Sequence, residues 1–169
     1  MRALLKLLLV LVLFAPPLPA EGKSPCHAPD AVCAAASRVF RIASFDPLAS
    51  AVLIGPGLFV TNRHAVADSG QVVIFLPAER PGGGRVTARV VPTAYGGDLI
   101  LFRAPEVTTP APLSTAKATL EGRFYTIGAD RRGRAIRVYE PGRLLLPLAE
   151  GKPWARLHTD AYSQAGNSG

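Results

Sequence analysis

Short apolar runs separated by turn residues dominate the chain. "RVFRIA", "SAVLIG", "LFVTN", "VVIFL", "VTARVVP" and "LILFR" follow one another between residues 38 and 103. Asp-Pro, Gly-Pro-Gly and Pro-Gly-Gly-Gly interrupt them. Each run is too short for a typical helix and rich in β-branched and aromatic residues. The pattern predicts six strands of an antiparallel sheet that closes into a barrel or packs as a sandwich. In "VTARVV", Val86, Ala88 and Val90 alternate with more polar neighbours, the two-residue period of a strand with one wet face.

A Pro- and Thr-rich stretch, "APEVTTPAPLSTAKA" at 104–118, reads as a linker crossing a surface. The strand pattern then resumes over 119–169 with "RFYTIG", "RAIRVYE", "GRLLLPL" and "ARLHTD". This second group has only three or four strands, fewer than the first. Residues 21–37 read as an irregular or partly helical lead-in. Helical periodicity is otherwise scarce, there is no strand–helix alternation, and the class expected is all-β.

The first residues do not belong to this scheme. "MRALLKLLLVLVLFAPPLPAEG" opens with Arg2 and Lys6 and continues with an apolar run from Leu7 to Ala15. Pro16 and Pro17 end the run, and Leu18-Pro19-Ala20 offers a small residue for cleavage. Residues 1–20 therefore read as a secretory signal peptide. The run is far short of the ~20 apolar residues that a membrane span needs, so no stable membrane anchor is expected. The mature protein would be secreted or periplasmic.

Export changes how the charge and the cysteines are read. The formal net charge is +7. Losing Arg2 and Lys6 lowers the excess without changing its sign. The remaining positive charge is scattered, apart from "RRGR" at 131–134, which lies between two apparent strands and reads as a solvated hairpin tip. An exported protein meets little nucleic acid, and no nucleic-acid partner is expected. In an oxidising compartment Cys26 and Cys33 of "CHAPDAVC" can form a bridge that pins the start of the mature chain, worth about 2–3 kcal/mol in the chain-entropy account. Two free thiols are the alternative. His27 adds a third candidate metal ligand, one fewer than a structural zinc site wants, and no metal or cofactor is expected.

Three places carry candidate chemistry. His64 follows the strand "LFVTN" directly, where rigid scaffold would hold an imidazole at the mouth of a cleft, a placement that suits a general base. Taken alone, such a histidine is more often a surface or capping residue. Asp98 in "YGGDLILFR" precedes an apolar run, where a carboxylate can accept from an imidazole N–H or simply close an Asx turn. Ser168 sits in the terminal "GNSG", a turn whose glycines allow unusual dihedrals and close approach of a substrate. The Gly166 and Ser168 amides of such a turn would form an oxyanion hole. The order base, acid, nucleophile differs from the order Ser, acid, His of an α/β-hydrolase.

"TNRHAVAD", "GDLILFRAP" and "TDAYSQAGNSG" together resemble the three signature blocks of trypsin-like serine peptidases, and within them the bacterial HtrA-type branch. "YTIG" at 125–128 is similar to the family's strand that opens the second barrel. The resemblance spans about residues 38–169. It implies a chymotrypsin-like double antiparallel β-barrel, with 38–103 as the first barrel and 119–169 as an incomplete second one. It implies a serine endopeptidase acting on polypeptides, with His64 as base, Asp98 as its orienting acid and Ser168 as nucleophile. A protease-like binding module without activity is the alternative.

Departures from the pattern qualify these expectations. The family continues past this point with further strands, so a chain ending at Gly169 is expected to be a fragment with little activity of its own. Asn167 stands where pancreatic-type members carry an Asp that pairs with a new N-terminal amine, so activation without a propeptide cut is implied. Ala161 and Tyr162 are uncharged where a trypsin would place an acid, which implies a small or apolar residue at the cleavage position. Asp160 is expected to support its loop.

Overall fold

The structure is a computed structural model that describes residues 26–77, 84–94, 96–108, 119–146 and 158–169. The predicted signal peptide lies outside the described residues, as do most of the 104–118 stretch and the first half of "ARLHTD". Among the described residues no helix is long and apolar enough to cross a membrane.

Six strands match the six apolar runs: β1 Val39–Ala43, β2 Ala49–Gly55, β3 Leu58–Thr61, β4 Gln71–Phe75, β5 Arg85–Val91 and β6 Ile100–Arg103. They form a closed antiparallel barrel in the order β1-β2-β3-β6-β5-β4, with β4 pairing back onto β1. Closure leaves no free sheet edge in this region. A six-stranded barrel has a narrow interior that its own side chains must fill. Phe59 of β3 lies opposite Phe102 of β6, and the two rings stack at 5.1 Å with 4° between their planes. Phe40 meets the other side of Phe59 edge-on at 5.4 Å. Ala49, Ala51 and Ala88 point into the same interior, where only small side chains leave room for three rings. Ile42, Leu53, Val72, Ile74 and Ile100 complete the packing.

Two short helices accompany the barrel. α1, Asp30–Ala36, occupies the lead-in, and a disulfide joins Cys26 to Cys33 ahead of it and within it. α2, Arg63–Val66, follows β3 as a single turn. Its Ala65 and Val66 are fully buried in the barrel core, so the turn is anchored from below while His64 stays exposed. The stretch expected to run over the surface starts differently: Ala104 and Val107 are buried in the barrel core. Gly57, at a φ of +62°, closes the β2–β3 turn against them, donating to Val107 O at 2.8 Å and accepting from Ala104 N at 2.9 Å. The prolines and threonines of 104–118 gave the stretch the look of a linker, which hid Ala104 and Val107 as core residues.

The second strand group is looser. β7 Arg123–Phe124 pairs with β10 Gly142–Arg143, and β8 Ile127–Ala129 pairs with β9 Ile136–Val138. Each is a two-stranded sheet, and a bridge from Leu144 to Thr159 extends the first. This all-β arrangement matches a chymotrypsin-like fold with a closed first barrel and, among the described residues, an incomplete second. The "RRGR" segment is the tip of the β8–β9 hairpin. Asp130 organises it by accepting from the amides of Arg132 (3.1 Å) and Arg134 (2.9 Å) and facing the Arg137 guanidinium at 3.5 Å. Asp160 does support its loop, accepting from the Arg143 amide and donating its own amide to Arg143 O at 3.2 Å.

Candidate active site

His64 and Asp98 come from the same end of one antiparallel strand pair. β3 and β6 are neighbours in the barrel, and their registered pairing includes Thr61 with Ile100. The segment after β3 and the segment before β6 therefore emerge side by side. Arg63 ties them together through its amide to Asp98 O (3.2 Å) and its side chain to Gly97 O (3.1 Å). On this platform Asp98 Oδ2 lies 2.8 Å from His64 Nδ1, and Asp98 Oδ1 accepts from the His64 amide at 3.0 Å. Partial burial pushes the Asp98 carboxyl up. The hydrogen bonds from the His64 amide and ring, with the attraction of the imidazole, outweigh it and hold the group below its ordinary value. Asp98 is thus an anion at neutral pH and can only accept. Nδ1 of His64 must carry the ring proton, which leaves the Nε2 lone pair available as a base. Both side chains are about half exposed, at 57% and 51%, so solvent can reach this pair.

Ser168 arrives from the second group. Its turn is pinned onto the outer face of β2. The Ser50 amide donates to Ser168 O at 2.6 Å, and the Ser50 hydroxyl donates to Gly166 O at 2.6 Å while accepting from the Ala129 amide at 2.9 Å. Gly166 has a φ of +93°, and a Cβ there would lie 2.9 Å from Ala129 O and 3.1 Å from Leu48 Cγ. Only glycine fits that backbone in that space. Asn167 donates to Ala129 O at 3.1 Å and accepts from the Gln164 amide at 2.8 Å, so local backbone satisfies it in place of a terminal amine. Among the described residues the amides of Gly166 and Ser168 donate to no protein acceptor, and the Ser168 hydroxyl makes no hydrogen bond to the His64 ring.

The two halves are joined instead through Asn62. Its amide group donates to Asp98 O (3.0 Å) and Asp98 Oδ2 (3.2 Å), and its carbonyl oxygen accepts from the Gly169 amide at 2.7 Å. The structure thus couples His64 to Asp98 directly and brings the Gly166–Gly169 turn to the same edge of the barrel.

Ser50 and Asn62 were not singled out from sequence as site residues. Strand alternation assigns Ser50 to the outer, wet face of β2, but β8 and the Ser168 turn cover that face and bury it. Its signal was a lone Ser between Ala49 and Ala51 in an apolar strand.

A barrel of this order, with an exposed His–carboxylate pair at one rim and a Gly-Asn-Ser-Gly turn laid against β2, defines the trypsin-like class. The family model described as "Trypsin-like peptidase domain" matches residues 49–169, and the chain belongs to that family. Solved structures agree on the fold. The Rv3671c protease from M. tuberculosis in its active form is 21% identical, with a TM-score of 0.60, over 92% of this chain and 76% of that one. The serine endoprotease from Yersinia pestis is 22% identical, with a TM-score of 0.64, over 87% of this chain and 53% of that one. An HtrA-type protease solved with a tripeptide is 21% identical, with a TM-score of 0.62, over 82% of this chain and 48% of that one. The chain therefore spans about half the length of the last two. No curated protein matches it in sequence.

Proposed function

We propose that the protein is a serine endopeptidase of the HtrA-type branch that cleaves polypeptides through His64, Asp98 and Ser168. The observation that carries this reading is the 2.8 Å hydrogen bond between His64 Nδ1 and Asp98 Oδ2 beside the anchored Ser168 turn. In this mechanism His64 Nε2 takes the proton from the Ser168 hydroxyl as its oxygen attacks the scissile carbonyl. Negative charge moves to the carbonyl oxygen, where the Gly166 and Ser168 amides receive it. Collapse of the tetrahedral intermediate breaks the C–N bond, and His64 hands its proton to the leaving amine. Water, activated by the same His64, then releases the acyl group from Ser168. Asp98 stays ionised throughout and stabilises the imidazolium.

No cofactor takes part in this scheme. The N-terminal 20 residues support export, so the substrates would be secreted or periplasmic polypeptides. Tyr162 is half exposed, packs on Tyr139 at 5.3 Å and carries no charge, which favours a small or apolar residue at the cleaved position.

Labelling of the complete protein with a fluorophosphonate probe tests the reading. The expected result is a covalent adduct on Ser168 that is lost in Ser168→Ala and in His64→Ala, with peptide hydrolysis falling about 10⁴-fold or more in both. Absence of the adduct would support the inactive binding module instead.

A further inference from the structure

Asn62 stands at the end of β3, between the acid and the nucleophile turn, and all of its side-chain polar atoms are engaged. Its nitrogen faces two acceptors on Asp98 and its oxygen faces one donor, the Gly169 amide. Exchanging the nitrogen and oxygen would set an acceptor against two acceptors and a donor against a donor. The partners therefore fix the orientation of the group.

These bonds act on two moving parts at once. On one side, Asp98 Oδ1 is taken by the His64 amide while Oδ2 is shared by the His64 ring and Asn62, so the carboxylate is held against rotation. On the other side, the peptide unit between Ser168 and Gly169 is clamped at both ends. Its carbonyl accepts from the Ser50 amide, and its N–H donates to Asn62. A peptide plane held at both its oxygen and its N–H fixes the backbone that directs the Ser168 side chain. Of the two clamps, only Asn62 also touches the acid.

We propose that Asn62 is a positioning residue that couples the orientation of Asp98 to that of the Ser168 turn. The proposal rests on the peptidase reading of this site. The coupling makes a specific demand on the side chain: a donor toward Asp98 and an acceptor toward Gly169, which aspartate fails in part and alanine in whole.

Two substitutions in the complete protein test it. Asn62→Ala removes both contacts, and Asn62→Asp keeps the acceptor while replacing the donor with a second negative charge. For Asn62→Ala, kcat/KM for a peptide substrate is expected to fall about 10–100-fold, as expected for loss of a charge-assisted hydrogen bond at a reacting site. The loss should fall on kcat, with KM within about twofold, and fluorophosphonate labelling should slow in proportion. For Asn62→Asp, the added charge stabilises the His64 imidazolium, so the acid limb of the kcat/KM profile is expected to move up by about half a pH unit or more.

An acid limb that stays in place in Asn62→Asp, with kcat/KM of Asn62→Ala within about twofold of the parent, would overturn the coupling. So would an activity loss no larger than the loss of folded protein measured by calorimetry. Should Asn62→Asp fail to fold, the division of the Asn62→Ala effect between kcat and KM decides alone. Retained activity in Ser168→Ala would instead remove the peptidase reading itself. Inactive Ser168→Ala with unaffected Asn62 variants removes only the coupling.

Discussion

The barrel that carries His64 and Asp98 and the strand group that carries Ser168 solve the same problem with very different means. In the barrel, six strands close on themselves, three phenylalanine rings pack on one another, and the site residues rise from the ends of adjacent strands. In the second group there are two strand pairs of two or three residues each, and among its described residues the buried hydrophobic side chains are Ala129 and, just past β10, Leu144. Ser168 there takes its position from hydrogen bonds to the barrel. Ser50 and Asn62 hold the turn, and Arg41 of β1 reaches across to Gly133 O at 2.5 Å. One half of the site is thus held by packing and the other by polar staples onto the first half. Packing is distributed over many atoms, whereas a staple depends on one or two groups, so the two regions should fail differently.

The largest effect is expected in the barrel. Phe59→Ala removes the central ring of the stack, and a cavity at that place should cost about 3–5 kcal/mol. Thermal denaturation should show one lowered transition, with the His64–Asp98 pair and the Ser168 turn lost together, because both lean on β2 and β3. A separate, unshifted transition for the second group would break the comparison.

Ser50→Ala, in β2 of the barrel, is the matching cut in the staples that hold the second region. It strands the Gly166 carbonyl and the Ala129 amide, both at a buried contact, and should cost about 1–3 kcal/mol. Hydrogen exchange is the measurement of choice. Protection should fall in 127–129 and 164–169 while the amides of β3 and β6 keep theirs.

Ala67→Gly sharpens the comparison in the opposite direction. Ala67 ends α2 with φ 48° and ψ −129°, a backbone that L-residues avoid. Glycine there should raise stability by up to about 1 kcal/mol, read as a higher Tm, and leave the Ser168 turn unchanged.

The smallest effect concerns acid. Asp98 has its carboxyl lowered in the folded state, so it contributes stability that is present above its unfolded value and is lost as pH falls through the folded value. In Asp98→Asn that contribution disappears, and the slope of stability against pH below about pH 4 should be shallower than in the parent. The difference is small because the side chain is half exposed and screened. Chemical denaturation at pH 3 and pH 6 measures it.

The two regions were also unequally legible in the amino-acid order. All six barrel strands follow from alternation and turn punctuation, within one residue at most ends, because each buries one face in a continuous core. The pairing order, with β3 beside β6, depends on contacts distant in sequence and was not readable from the segments. In the second group, strands of two or three residues leave too short a period to locate. His64 and Asp98 were recognisable from their place at strand ends and from the motif they share with a family. Their contact is now explained by the β3–β6 pairing. Ser50 and Asn62 escaped notice because a polar residue on a strand's outer face or at its end is ordinary until another element covers it. Ala104 and Val107 escaped because the surrounding prolines and threonines mask two core positions.

Everything about the proposed chemistry requires that the packed half and the stapled half meet at a single oxygen. A crystal structure of the complete protein carrying a peptidyl transition-state analogue measures this directly. The account predicts a covalent bond to Ser168 Oγ, His64 Nε2 within about 3.2 Å of that oxygen, and the analogue's oxygen facing the Gly166 and Ser168 amides. An adduct on another residue, or a Ser168 oxygen beyond hydrogen-bond reach of His64 in the bound state, would contradict it.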